Sequence, residues 1–538
     1  GTKSIIRGGK AMSKLKRRSL TLVTLFVVLM MVISGCGSQS GSTKTPDTPP
    51  TANPVSESPG TPQHGGSLTV AYVADVTNFD PIKGTTGNDH ALLWPLYDTL
   101  VKFSPDMKPE PGLAESWEFP DNMTILLHLR EGVKFSDGSP FNAEAVKFNI
   151  DRVNSTDSQI SDLKHIQSVE VVDDKTVKLQ LSQPDSSIIL ALSDRGGMMV
   201  SPTAVKTHGA DYSLHPVGAG PFIVTNHIPN GEIGYEANRD YWQKGLPYLD
   251  KLTVKVIPDA NSQINALKTG QVDFLANVQP QMVAALKADS NIVLSPTNTL
   301  ALNMIYLRTD APPFNDKAAR LAVLYGINRQ QLIDAINFGQ GTVAVQPFPK
   351  DYWAHDDSIN IPYDPEKSKQ LLKDAGLSNV SFTLTTYPIE WWTRLANGIK
   401  GQLEEVGITV NIKTLEPNAA VQSFLGDKET NALTGNWSGR PDPQMTIASL
   451  YGKDSYYNPG KATTPELESL IKEAAATTDQ NQRAGLYKEI VNTSVVENAF
   501  SIPTFSQPMT AAMSKKIQGF EPNLLGKAIF SSLWVEQK

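Results

Sequence analysis

Residues 261–275 read NSQINALKTGQVDFL. The stretch from Asn261 to Lys268 has helical character and stops at Gly270, a residue free to adopt the left-handed conformation that ends a helix. Val272-Asp273-Phe274-Leu275 then resumes as a strand. The same alternation recurs along the chain. Asp364-Pro365 supplies an N-cap and a proline in the first helical turn, Ser368, Leu371, Leu372 and Ala375 follow at helical spacing, and Gly376 is the stop. From Arg394 to Glu405 the pattern predicts a helix halted by Gly407 and followed by the strand Ile408-Thr409-Val410, and Thr464-Pro465 opens a helix towards Ala476. Nearer the N-terminus, Gly66 to Tyr72, Asp121 to Arg130 and Val172 to Leu181 read as strands, Asp137-Gly138 as a turn, and Asn142 as the cap of a helix through Val153 with apolar contacts from Ala145, Phe148 and Ile150. Helices and strands in alternation predict an α/β fold.

The N-terminal region carries a different signal. Lys14, Lys16, Arg17 and Arg18 precede an apolar run of 14 residues from Leu20 to Ile33, too short for a permanent span and of the right length for an export signal. Met12 is the expected start, with residues 1–11 an upstream extension. The only cysteine, Cys36, follows at once in Ile33-Ser34-Gly35-Cys36. Residues 1–35 contain seven Lys/Arg and no acid, so the remainder holds 41 basic against 55 acidic residues. That balance argues against a nucleic-acid partner. With one thiol there is no disulfide, and a core of this size needs none. Residues 37–64 are rich in Ser, Thr, Pro and Gly and cannot bury a core. They read as a tether of about 30 Å root-mean-square length. The 474 residues from 65 to 538 exceed what one core holds, so at least two lobes are expected.

Several blocks in order carry a resemblance: Leu113-Ala114-Glu115-Ser116-Trp117, residues 128–138 (HLREGVKFSDG), Val217-Gly218-Ala219-Gly220-Pro221-Phe222, Asn238-Arg239-Asp240-Tyr241-Trp242, Pro247-Tyr248-Leu249-Asp250, residues 266–273, Pro313-Phe314-Asn315-Asp316, Tyr363-Asp364-Pro365-Glu366-Lys367 and Val406-Gly407-Ile408. Together they resemble the family-5 solute-binding proteins of ABC importers, the peptide/nickel-binding group, over essentially all of 65–538. Ile-Ser-Gly-Cys likewise resembles the lipobox of bacterial lipoproteins, which makes Cys36 the expected lipidation site. The resemblance implies a two-lobed periplasmic-binding-protein fold of type II, in its large variant. Lobe I would comprise 65–300 plus 506–538 with a subdomain at about 101–216, lobe II would comprise 301–505, and two crossover strands would join them. Gly218-Ala219-Gly220 lacks the helix start of a dinucleotide site, because Pro221-Phe222 follows it.

The same resemblance selects candidate ligand contacts. Thr85, Thr86 and Gly87 fall on a first-lobe loop, and Trp391, Trp392 and Arg394 where the second lobe approaches a ligand, with at most one of the adjacent tryptophans expected in the cleft. In Asn436-Trp437-Ser438-Gly439-Arg440-Pro441-Asp442-Pro443, peptide-binding relatives typically carry an aspartate for the peptide amine three residues after the tryptophan. Here Arg440 stands there, favouring a carboxylate or phosphate. Asp442 could take the cationic partner, or Arg440 and Asp442 could pair with each other. Arg195, in Asp194-Arg195-Gly196-Gly197-Met198, is a second candidate anion clamp or a solvated surface residue.

No H-E-x-x-H, G-x-S-x-G, C-x-x-C or P-loop pattern occurs, and the eight histidines show no ligand spacing, His208 and His215 being the closest pair. The expectation is therefore a non-enzymatic, lipid-anchored binding component of an ABC importer, without cofactor or metal of its own. Its ligand would be peptide-like or an amino-acid conjugate carrying an anionic group. A monomer is expected, working with a permease and ATPase complex on an extracytoplasmic membrane face. The tether favours a Gram-positive surface over a periplasm. Uptake of a sugar–amino-acid conjugate or a nickel chelate, a sensory lipoprotein without transport, and an extracytoplasmic hydrolase stay open as alternatives.

Overall fold

The computed structural model describes residues 60–84 and 86–537. The leader and lipidation expectations at residues 1–35 and Cys36, most of the tether, and Thr85 lie outside them. The last tether positions are part of the body: the His64 ring meets Tyr248 edge-on at 5.2 Å, and Gln63 accepts a hydrogen bond from the Gln537 N–H at 2.6 Å.

Among the described residues an eleven-stranded mixed sheet runs in the order Thr409–Thr414, Ser381–Thr386, Ala432–Trp437, Ile292–Leu307, Ser501–Ser514, Phe274–Leu275, Ser67–Tyr72, Lys251–Val256, Glu232–Ala237, Phe222–Ile228, with Thr342–Val343 paired to Ser501–Ser514 off this path. The two long central strands, Ile292–Leu307 and Ser501–Ser514, are antiparallel partners from Ile292↔Ser514 to Tyr306↔Ser501. Their ladder breaks twice. Residues 299–301 stand opposite Gln507 alone, and Thr504 is extra between Asn303↔Phe505 and Met304↔Pro503. Prolines explain the position of the breaks: Pro508 faces Asn298 and Pro503 faces Met304, and a proline has no N–H for the ladder. On one side of the break Met513 and Ala512 pair with Phe274 and Leu275; on the other Leu302 to Leu307 pair with Trp437 to Ala432. Both strands therefore change sheet neighbours at the break.

Side chains hold this irregular backbone. Thr299 Oγ1 donates to the Gln507 carbonyl at 2.6 Å, Thr504 Oγ1 lies 2.7 Å from the Asn303 carbonyl and 2.8 Å from its Oδ1, and Asn303 Nδ2 donates to Asn436 Oδ1 at 3.1 Å. The buried side chains of Thr299, Asn303 and Thr504 thus keep partners at the break, as burial demands.

The described residues form four hydrophobic cores, the smallest around Leu267, Leu275 and Leu286. Leu68, Val70, Tyr97, Tyr235, Leu252 and Phe274 lie in one, and Leu100, Leu127, Val146, Ile150 and Leu179 in another. The latter lies between the helix Ala143–Val153 and a four-stranded antiparallel sheet ordered Ala114–Asp121, Thr124–Leu129, Thr176–Leu181, Ile166–Asp173. The third draws on Ile305, Phe314, Leu324, Phe382, Ile399, Trp437 and Phe505. A fully buried side chain of this kind contributes about 1.5–3 kcal/mol. Beside the interface between these bodies, Ser186 N and Oγ donate to the Ala475 and Ala474 carbonyls, each at 2.9 Å.

Most expected caps are observed. Asn142 Oδ1 accepts from Ala145 N at 3.1 Å, Asp364 from Lys367 N at 2.9 Å and Thr464 from Leu467 N at 3.0 Å. The 261–268 helix is longer than expected, Ala260–Thr269, because Asp259 caps it, and Gly270 ends it at φ +78°. The strand after it shrinks to Phe274–Leu275. Asp273 takes up the neighbouring edge instead, its N–H donating to the Thr69 carbonyl and its carboxylate accepting from Thr69 N at 3.0 Å. The 394–405 helix begins four residues earlier, spanning Glu390–Glu405.

The Gly218-Ala219-Gly220 run is a close backbone contact. Gly220 N donates to the Leu96 carbonyl at 2.9 Å and Phe222 N to the Pro95 carbonyl at 2.8 Å. A Cβ at Gly218 or Gly220 would overlap the Leu96 peptide group. Gly220→Ala is expected to cost about 2 kcal/mol of unfolding free energy, read as a lowered urea midpoint; an unchanged midpoint would show that the contact yields without strain.

Candidate functional site

The helix Asp89–Leu93 brings His90 into the protein, where its Nε2 meets the Asp194 carboxylate, and burial pushes the imidazole down. Its Nδ1 faces Lys527 Nζ and the Gly87 carbonyl, each at 3.1 Å. Asp194 also accepts from the Arg195 N–H at 2.8 Å, which starts the tight turn Arg195–Gly197 and aims the guanidinium at the Gly84 carbonyl. Gly87 sits directly beside the Lys527 side chain. Thr86 N donates to Asp89 Oδ2 at 3.2 Å, fixing the loop. Asn523 Nδ2 donates to the Lys527 carbonyl at 2.8 Å, while its buried Oδ1 has no partner. The first-lobe loop and Arg195 are thus brought together, with three polar residues that the sequence reading did not select: His90, Asp194 and Lys527.

Arg440 approaches from the second lobe. Its Nη1 donates to the Gly439 carbonyl at 2.7 Å and to Ser438 Oγ at 3.1 Å, and its guanidinium lies over the Trp437 ring at 4.7 Å. Its charge acts on Lys527 and Asp162 of the opposite face. Burial pushes the Asp162 carboxyl up and Asp194 adds to this, while Arg440 and Arg195 pull it down. Burial pushes the Lys527 ammonium down, against Asp194 and together with Arg195 and Arg440. The charges of Arg195, Arg440 and Lys527 thus all act in the neighbourhood of Asp162, with Asp194 beside His90. Such a surface selects for negative charge.

Trp437 itself is a core residue, buried, with Nε1 donating to Thr446 Oγ1 at 3.3 Å and its ring edge-on to Tyr457 at 5.3 Å. It acts as the shelf under Arg440. Asp442 corrects the expectation that it serves a ligand cation or Arg440. It is 1% exposed, caps the helix Pro443–Tyr451 through Gln444 N at 2.8 Å, and accepts from Arg483 Nη2 at 2.5 Å. Arg483 in turn reaches Tyr487 OH at 2.8 Å, and Tyr487 donates to Gln444 Oε1 at 3.0 Å. Burial raises the Asp442 carboxyl, opposed by the Arg483 charge. The pairing follows from geometry that sequence spacing hides, since Arg483 is 41 residues away.

Trp391, Trp392 and Arg394 form a separate group. The two indoles meet edge-on at 4.9 Å, Trp391 Nε1 donates to Asn337 Oδ1 at 3.2 Å, and Trp392 packs on Tyr387 at 4.9 Å. Arg394 Nη2 donates to the Ala335 carbonyl at 2.8 Å. Both tryptophans are half-buried because helix spacing turns each to a different flank of the same aromatic cluster. His208 and His215 stack at 4.2 Å, and no group of three His, Cys, Asp or Glu able to hold a metal occurs among the described residues. No helix among them is long and apolar enough to cross a membrane.

Two lobes joined by two crossing strands, with charged residues of each turned towards the other, define a type II solute-binding protein. The chain belongs to the bacterial extracellular solute-binding proteins, family 5, whose "Middle" model matches residues 108–458. It is 30% identical over 468 residues to the glutathione-binding protein GsiB of Salmonella typhi, covering 84% of this chain and 91% of that protein. Among solved structures it is similar to HbpA2 from Haemophilus parasuis (26% identity, TM-score 0.80, 88% and 100% of the two chains). It is also similar to the periplasmic binding protein DppA from Helicobacter pylori in complex with the peptide STSA (26%, TM-score 0.72, 88% and 99%). The protein is accordingly the extracytoplasmic solute-binding component of an ABC importer and not an enzyme.

Burial alone would raise the Asp194 carboxyl, but the His90 imidazole, Lys527 and the Arg195 N–H outweigh it and hold it well below the ordinary range. The unfolded chain therefore binds this proton more readily, so the contribution of Asp194 is present above about pH 4 and lost as pH falls towards its folded value. Compared with Asp194→Asn, the wild type is expected to be more stable by about 3 kcal/mol at pH 7, with the gap closing in acid. A gap that stayed constant from pH 7 to acid in urea titrations would contradict this assignment.

Proposed function

We propose that the protein captures an acidic, peptide-like solute of the glutathione type and delivers it to a membrane permease. The observation that carries this reading is that Arg195 and Arg440 keep donors bound only to backbone or hydroxyl oxygen while Asp442 is engaged by Arg483. Glutathione carries two carboxylates and one ammonium. Arg440 and Arg195 suit the carboxylates through paired N–H donors, and Asp162, which has no ion pair among the described residues, suits the ammonium. The similarity to a glutathione-binding protein and to one that holds a peptide supports the same class.

Closure of the lobes about the strand break would bury the ligand and bring Arg440 onto it, with the ligand's contacts supplying the free energy that favours the closed state. In this reading lobe I is 65–300 with 506–538, lobe II is 301–505, Cys36 carries the lipid, and the monomer works from its tether. Thr86 and Gly87 line the first-lobe side, while Trp391, Trp392 and Arg394 flank the hinge end and contact only larger solutes.

Titration calorimetry should show reduced glutathione binding well and a neutral dipeptide such as Met-Leu binding more weakly. Arg440→Asp should lower glutathione affinity at least about tenfold, the loss of one charged bidentate contact. Equal affinity for the neutral dipeptide, or an unaffected Arg440→Asp protein, would sink the acidic-ligand reading. For the anchor, labelling with a radioactive fatty acid in a bacterial host should disappear in Cys36→Ser; persistent label would place the lipid elsewhere.

A further inference from the structure

A cavity of about 530 Å³ lies in the first lobe behind Trp94, one helical turn beyond His90. Trp94, Phe103 and Trp242 line it; each packs against a core on one side and is half-buried on the other. Trp94 and Phe103 meet at 5.9 Å. Trp242 is held rigidly: its Nε1 donates to Asp98 Oδ2 at 2.5 Å, and Tyr241 OH donates to the same oxygen at 2.7 Å. Above the Trp242 ring lies the Arg130 guanidinium, 4.3 Å from the centroid, its Nε donating to the Gly112 carbonyl at 3.0 Å.

Arg130 has no ion pair among the described residues, and its Nη groups donate no hydrogen bond to them. Lys102, also beside this ring at 5.4 Å, is by contrast engaged with Tyr241 and Asp98. The wall of the cavity therefore presents an uncommitted pair of N–H donors next to pre-positioned aromatic faces. Glu110 and Glu521 stand at the rim, exposed to water. The geometry points to a second binding site, separate from the cleft between the lobes, for a small aromatic carboxylate whose acid group pairs with Arg130 and whose ring lies between Trp94, Phe103 and Trp242. The volume suits such a molecule, and a carboxylate is the partner that an unpaired guanidinium accepts best.

The test uses the purified protein labelled with 5-fluorotryptophan and followed by fluorine NMR, with the Trp94 and Trp242 resonances assigned through Trp94→Phe and Trp242→Phe. Indole-3-acetate should shift both resonances saturably, and tryptamine, its cationic counterpart, should bind more weakly. Arg130→Gln should weaken indole-3-acetate about tenfold and leave tryptamine unchanged. Arg440→Asp, which disables the interlobe site, should leave indole-3-acetate binding intact. That result would establish an independent site even if the acidic-peptide reading of the cleft failed. The assignment is overturned if indole-3-acetate shifts neither resonance, if tryptamine binds as well, or if Arg440→Asp abolishes binding and so places the probe in the cleft. Should Arg130→Gln not fold, the wild-type preference between acid and amine decides the matter.

Discussion

Everything in this molecule depends on two antiparallel strands that cannot keep register. Pro503 and Pro508 remove ladder donors from Ser501–Ser514, and Ile292–Leu307 answers with the insertion at 299–301. A continuous ladder would weld the two bodies into one stiff sheet. The broken one keeps the covalent and hydrogen-bonded link without a continuous ladder. Thr299, Asn303 and Thr504 satisfy the polar groups that the break would otherwise leave bare. In the proposed closure, rotation about this break would move Arg440 relative to Lys527 and Asp162, which would make the break and the charge pattern parts of one device.

The chemistry of the cleft follows from which charges are already neutralised. Asp194 is engaged by His90 on one side, and Asp442 pairs with Arg483 on the other, where it is inaccessible. Arg195 and Arg440 retain donors bound only to backbone or hydroxyl oxygen. A buried ion pair adds little net stability and is costly to break. The Asp442–Arg483 pair therefore serves to fix the segment that carries Trp437 and Arg440.

The fold was largely legible because its signals are local. Caps such as Asp364-Pro365 and Asn142, and the glycine stop at 270, act within one turn of chain, and the alternation they mark is what an α/β sheet requires. The cleft was legible only where neighbouring residues share it, as with Thr86, Gly87, Arg195 and Arg440. Lys527 lies 437 residues from His90, and no spacing could announce that contact. Asp442 misled for the same reason, since its true partner sits on a later helix. The strand breaks were also hidden: a proline in a strand marks an interruption, but the partner strand that must bulge to meet it is two hundred residues away.

The central sheet also dictates an order of assembly. Phe274 and Leu275 pair with Met513 and Ala512, and Gln63 meets Gln537, so the first lobe cannot close its sheet until the last residues arrive. The third core, by contrast, draws almost wholly on residues 300–505 and has far less chain to wait for. Contacts of such sequence separation form late and slowly. An emerging chain would therefore leave the first-lobe half of the central sheet open until synthesis ends, while the local sheet of 114–181 needs no later residue to form.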